Sequence, residues 1–151
     1  MDAILSLLEG FDLNNFIPPL DTVMGWVLLF ARLAVLMGPL ILLGLGVWYF
    51  LRPPKEANYS IGFRAIYGMG SVEAWRFTQR LVGVIWGGLG VLLTVVMLIV
   101  CLTFSGEAMA DAVWSACVCL IIEAALVLIS IIAINVIVAL RYDYDGNPRK
   151  K

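Results

Sequence analysis

Two ionisable side chains, Arg32 and Glu123, stand inside long apolar blocks, and they are the residues of this chain best placed to do chemistry. A charge in hydrocarbon is costly enough to mark a pair, a proton or ion path, or a partner site. Arg32 lies 20 residues before Arg52, and Glu123 lies 18 before Arg141. On helices running in the same direction, with ~1.5 Å of rise per residue, the two charges fall within about 3 Å of one depth. Three readings follow: a structural ion pair, independent snorkelling to the outer headgroups from spans longer than ~20 residues, or an ion or substrate path.

Other catalytic chemistry is thin. The chain has no histidine, which removes His-based triads, His metal sites and His proton relays. Neither H-E-x-x-H, nor G-x-S-x-G, nor a phosphate loop or dinucleotide fingerprint is present. Cys101, Cys117 and Cys119 lie in apolar blocks without C-x-x-C spacing and read as small packing residues, with a Cys101–Cys117 bridge as the lesser alternative. The expectation is a non-enzyme with no cofactor, no metal and no nucleic-acid partner.

The elements that carry these residues are set by composition. Of 151 residues, 62% are hydrophobic and 14% charged, with mean hydropathy +0.98, which is the balance of an all-α membrane protein. A bilayer core about 30 Å thick needs roughly 20 apolar helical residues, and three blocks qualify: 22–51, 81–104 and 112–140. Pro53 and Pro54 stop the first, and Gly38-Pro39 predicts a kink inside it. Residues 1–21 carry no Lys or Arg, so no basic signal-peptide start is expected. Within them Ile4, Leu5, Leu8 and Phe11 form one stripe, which reads as a short amphipathic helix on the outer surface or a cap over the bundle.

Orientation follows from Lys and Arg. The loop 52–80 has five, the tail 141–151 has four, and neither the 1–21 segment nor the 105–111 turn has any. The positive-inside rule then places loop and tail in the cytoplasm and the N-terminus outside. In the second span Gly83, Gly87 and Gly90 share one face and include a G-x-x-x-G match, a surface for close helix packing within the chain or between copies.

The loop 52–80 is unlike the rest. Gly68 and Gly70 flank Met69, Ser71 stands as a helix N-cap, and Glu73 occupies the first turn of a helix that runs on into the second span. Val72, Trp75, Gln79 and Val82 line one side of that helix, and Glu73, Arg76 and Arg80 another. An interfacial Trp with arginines at anionic headgroups accounts for most of this. The tail, with Asp143, Asp145, Gly146, Asn147 and Pro148, is too short for a calcium loop and reads as a polar exit.

Asn58-x-x-x-Gly62-Phe63-Arg64, then Trp75, Gln79-Arg80 and Gly83 at the head of a span, resembles the signature of the SdpI/YfhL family of small bacterial membrane proteins. The similarity covers roughly residues 48–140. It departs from the usual pattern at Ala65, where Thr or Ser is common, and at Gln79, where Asn or His is frequent. The resemblance implies a bacterial cytoplasmic-membrane protein of immunity or signalling type, since the best-known member protects its producer against a secreted killing peptide and draws a transcriptional repressor to the membrane. Expected partners are the lipid bilayer, a peptide toxin or a cytosolic regulatory protein, and a second copy of the chain. Asn58, Gly62, Phe63, Arg64, Trp75, Gln79 and Arg80 are the candidate binding residues, with loop architecture as their other reading. The alternative from another class is a small oligomeric transporter or pore using Arg32 and Glu123.

Overall fold

The computed structural model describes residues 20–55, 62–104 and 109–149. The N-terminal amphipathic stripe, Asn58 and most of the turn expected at 105–111 lie outside them. Three long helices make the fold: α1 (Leu20–Leu51), α2 (Val72–Thr103) and α3 (Met109–Arg141), with a 3-10 turn at Ile66–Gly68 between the first two. All three are long and apolar enough to cross a membrane. Helices of 32, 32 and 33 residues measure about 48 Å at 1.5 Å per residue, so each exceeds a ~30 Å hydrocarbon core and extends into the interface. α1 runs as one helix through the buried Pro39.

Packing between α1 and α2 depends on missing side chains. A Cβ on Gly46 would collide with the backbone N and Cα of Gly87. One on Gly83 would lie 2.6 Å from Phe50 N, and one on Gly90 2.5 Å from Leu43 N. The glycine face of α2 is therefore used inside the chain, against α1. In lipid, where apolar side chains gain nothing by leaving the solvent, such backbone proximity and the dispersion it allows hold helices together.

Two apolar clusters result. One lies between the spans and includes Val35, Leu42, Leu93, Met97, Phe104 and Ala116. The other sits at the end where the 62–71 segment meets α2 and the tail, around Ala65, Ala74, Val82, Ile134, Val138 and Tyr142. Trp86 packs against both. The thiols of Cys101, Cys117 and Cys119 are free, so no disulfide adds to this packing.

The tail is not a plain polar exit. Tyr142 pairs with Pro148 in an antiparallel bridge, and Arg149 N donates to Arg141 O at 2.9 Å. Between them Asp143 Oδ1 accepts from Asn147 N at 2.7 Å, and Gly146 adopts φ +77°, a left-handed conformation suited to glycine. Tyr142 is buried against Phe77 at 5.6 Å between ring centroids, with the Arg141 guanidinium 4.4 Å over the same ring.

Gly46→Ala is expected to destabilise the bundle by about 1–3 kcal/mol, because the helices must part to admit the methyl group. Gly44→Ala, whose Cβ meets nothing within 4 Å, should stay within about 0.5 kcal/mol of the parent. Thermal unfolding of the two variants in detergent checks the pair.

Candidate functional site

The segment 62–71 has few backbone neighbours and takes its order from side chains of α2. Ser71 caps that helix, its Oγ accepting from Ala74 N at 3.2 Å. Trp75 and Gln79 then fall one turn apart on the face turned toward the returning chain. Gln79 is fully buried. Its Oε1 accepts from Phe63 N and its Nε2 donates to Phe63 O, each at 2.9 Å. One side-chain amide thus satisfies both backbone groups of a residue that lies in no helix or strand, as a partly buried segment requires.

Gly62 and Trp75 form the next contact. Gly62 has φ +137°, and a Cβ there would strike Cζ2 and run within 2.5 Å of Cη2 of Trp75. Trp75 is 1% exposed, and its indole N–H donates to Pro54 O at 2.9 Å. It is a buried clamp between the two ends of the loop, which corrects the reading of Trp75 as an interfacial anchor. Val72, grouped with it on one side of the helix, is instead exposed, whereas Ala74 and Trp75 of the same first turn are buried.

The tail closes this arrangement from the other side. Ser71 Oγ donates to Gly146 O at 2.7 Å, and a Cβ on Gly70 would lie 2.5 Å from Gly146 N. Tyr67 meets Tyr144 edge to face at 6.4 Å, and Arg149 lies over Tyr67 at 5.9 Å. The hydroxyl of Ser71 therefore both caps α2 and holds the turn at the end of α3. The sequence reading of the tail as a polar exit missed this turn, whose Asp-Gly-Asn-Pro residues are turn formers; what it packs on could not be read from spacing.

Gly62, Phe63, Trp75 and Gln79 come together in one site. Arg64 and Arg80 lie on its exposed surface. Phe63 extends the site toward the spans, its ring edge-on to Trp86 at 5.6 Å and 89°. Trp86 Nε1 donates to Ser130 Oγ at 3.2 Å, linking α2 to α3. Neither Trp86 nor Ser130 stands out in sequence, since both read as ordinary span residues.

Trp86 also lines a groove of about 570 Å³ between the spans, with Gly38, Pro39, Leu42, Glu123 and Val127. Glu123 is 6% exposed, and its Oε1 has no hydrogen-bond partner among the described residues. The other oxygen, Oε2, lies 2.7 Å from where a Cβ on Gly38 would be, so glycine makes room for the carboxylate. Gly38 is six residues beyond Arg32 in α1, about 9 Å along the helix. Arg32 is half-buried, and its carbonyl oxygen accepts from the Cys101 thiol at 3.9 Å.

Gln79→Ala would leave Phe63 N–H and C=O facing buried space, a loss of about 1–3 kcal/mol. Hydrogen exchange at the Phe63 amide should accelerate while the centres of the spans stay protected; unchanged exchange would show that the amide does not hold the segment.

Comparison with curated proteins and with solved structures finds no match. A family model, described as the SdpI/YfhL protein family, matches residues 55–139, more than half of the chain. That stretch takes in the Gly62–Phe63–Trp75–Gln79 site, the glycine face of α2, Trp86 and Glu123, and the chain belongs to the SdpI/YfhL protein family.

Proposed function

We propose that this chain is a non-enzymatic membrane protein that confers immunity to a membrane-active antimicrobial peptide, relays that encounter across the bilayer, or both. In this reading the loop 52–80 and the tail face the cytoplasm, and the N-terminus lies outside. The observation that carries it is the position of Trp86. Its indole lines the groove that holds Glu123 and also touches Phe63 of the family signature. An occupant of the groove and the conformation of the signature loop therefore act on one side chain, a contiguous route of the kind coupling requires.

The chemistry of the groove suits a hydrophobic peptide dissolved in the membrane. Its walls are apolar, and the Glu123 carboxyl with its unpartnered Oε1 offers one acceptor for an amide N–H or a basic group. Signalling would then use the exposed surface around Arg64 as the docking place for a cytosolic regulator. A second reading, a small oligomeric transporter or pore, draws on the same carboxylate together with Arg32; ion flux in reconstituted vesicles that is absent, or insensitive to Glu123→Gln, removes it.

The test of immunity is expression in a peptide-sensitive bacterium challenged with a panel of secreted hydrophobic peptides. The expected result is a lethal dose raised several-fold for at least one peptide and returned toward the vector control by Trp86→Phe or Glu123→Gln at equal protein level. No rise for any peptide overturns the immunity arm. For the relay arm, a protein retained by the wild type in gentle purification should be lost from a still-folded Arg64→Ala variant.

A further inference from the structure

Four basic residues at the loop end of the bundle converge on a cavity of about 630 Å³: Arg52 and Lys55 just after α1, and Arg76 and Arg80 on the first turns of α2. Leu51, Pro53 and Pro54 complete its wall, and among the described residues no acidic side chain lines it. Glu73 lies in a neighbouring cavity on the other side of Arg76 and Arg80, together with Arg141. Among the described residues, no hydrogen bond or salt bridge engages the side chains of the four cations, and all four are exposed. The arrangement is nevertheless built. The buried Trp75 holds Pro54 through its indole N–H, which fixes the segment carrying Arg52 and Lys55 beside the helical turn carrying Arg76 and Arg80. Four like charges held around one space repel one another unless an anion joins them.

Leu51 also lines a second, apolar groove of about 430 Å³ along the α1–α2 crossing, with Val47, Gly83, Val84, Gly88 and Val91. On α2 the positions 80, 84, 88 and 91 follow one helical face. From Arg80 to Val91 is about 16 Å of helix, close to half of a ~30 Å hydrocarbon core and so the depth of one leaflet. The basic cavity lies at the loop end of the helices and the apolar groove continues from it along α1 and α2, with Leu51 lining both.

We infer that the two form one binding site for an anionic glycerophospholipid, with the phosphate among Arg52, Lys55, Arg76 and Arg80 and an acyl chain in the groove over Gly83 and Gly88. The planar guanidinium groups of Arg76 and Arg80 suit bidentate contacts to phosphate oxygens. The lipid is a ligand of stated position here, beyond the diffuse attraction of any basic loop to an anionic surface. The apolar continuation selects a lipid over free phosphate, and four cations around one cavity favour a headgroup of net negative charge over one whose ammonium cancels the phosphate.

Gly88 gives the acyl half of the site a test, since it lines the groove and a Cβ there meets nothing within 4 Å, so a larger side chain occupies groove space without a clash at its first atom. The delipidated chain in neutral detergent is titrated with phosphatidylglycerol, phosphatidylcholine or glycerol 3-phosphate, and bound lipid is counted by native mass spectrometry beside thermal stability. The wild type should bind one phosphatidylglycerol roughly tenfold more tightly than phosphatidylcholine, with glycerol 3-phosphate unable to compete. Arg76→Gln with Arg80→Gln should erase that preference. Gly88→Leu should weaken phosphatidylglycerol binding severalfold while the lipid-free unfolding temperature holds. Equal binding of the two lipids, a preference that survives the double substitution, or Gly88→Leu binding like the wild type overturns the site. Competition by glycerol 3-phosphate would make it a free-anion site instead.

Discussion

A residue that lies in neither helix nor strand has to find hydrogen bonds for its backbone elsewhere, and Phe63 finds both of its own in the side chain of Gln79. Much of the loop end follows from that exchange. With Phe63 fixed, its ring stands against Trp86 and the preceding Gly62 lies on the Trp75 ring. Trp75 in turn holds Pro54 and so the exit from α1. A residue type able both to donate and to accept through one planar group is what the position needs. This gives a physical reason for an amide at Gln79, and it ties Gly62, Trp75 and Gln79 into one arrangement.

The bundle divides its work between two kinds of contact. Between α1 and α2 the backbones touch over Gly46 and Gly87, and a side chain on Gly46 would wedge the helices apart. At the loop end the packing is aromatic and hydrogen-bonded, with Tyr67, Phe77 and Tyr142 filling the space that the glycines leave out elsewhere. Trp86 belongs to both clusters and is bonded to Ser130 of α3. A change in how α3 sits against the other helices cannot avoid this residue.

Much of the architecture was legible in the sequence because hydrocarbon imposes a length on any helix that crosses it. Three apolar blocks, the prolines after Leu51 and the Ser71 cap need only local information. The glycine face of α2 was legible as a face, but its partner was not, since Gly44 and Gly46 look alike in sequence and only Gly46 meets α2. Trp75 shows the opposite limit: an indole near a membrane surface suits the interface as well as the interior, and the deciding partner, Pro54 O, is 21 residues away. The tail was opaque for the same reason, its turn residues being visible and its docking surface not.

That docking surface has a consequence for how the protein is made. Ser71 and Gly146, joined by a hydrogen bond, are 75 residues apart, and α2 and α3 both lie between them. During synthesis the signature loop emerges two complete spans before the segment that covers it. Gln79 can grip Phe63 as soon as α2 forms, whereas Gly70, Ser71 and Tyr67 stay uncovered until α3 has been inserted and has returned to the same end of the bundle. The loop end is therefore assembled in two stages, and a chain whose third span fails to insert displays an open aromatic surface that a correctly inserted one conceals.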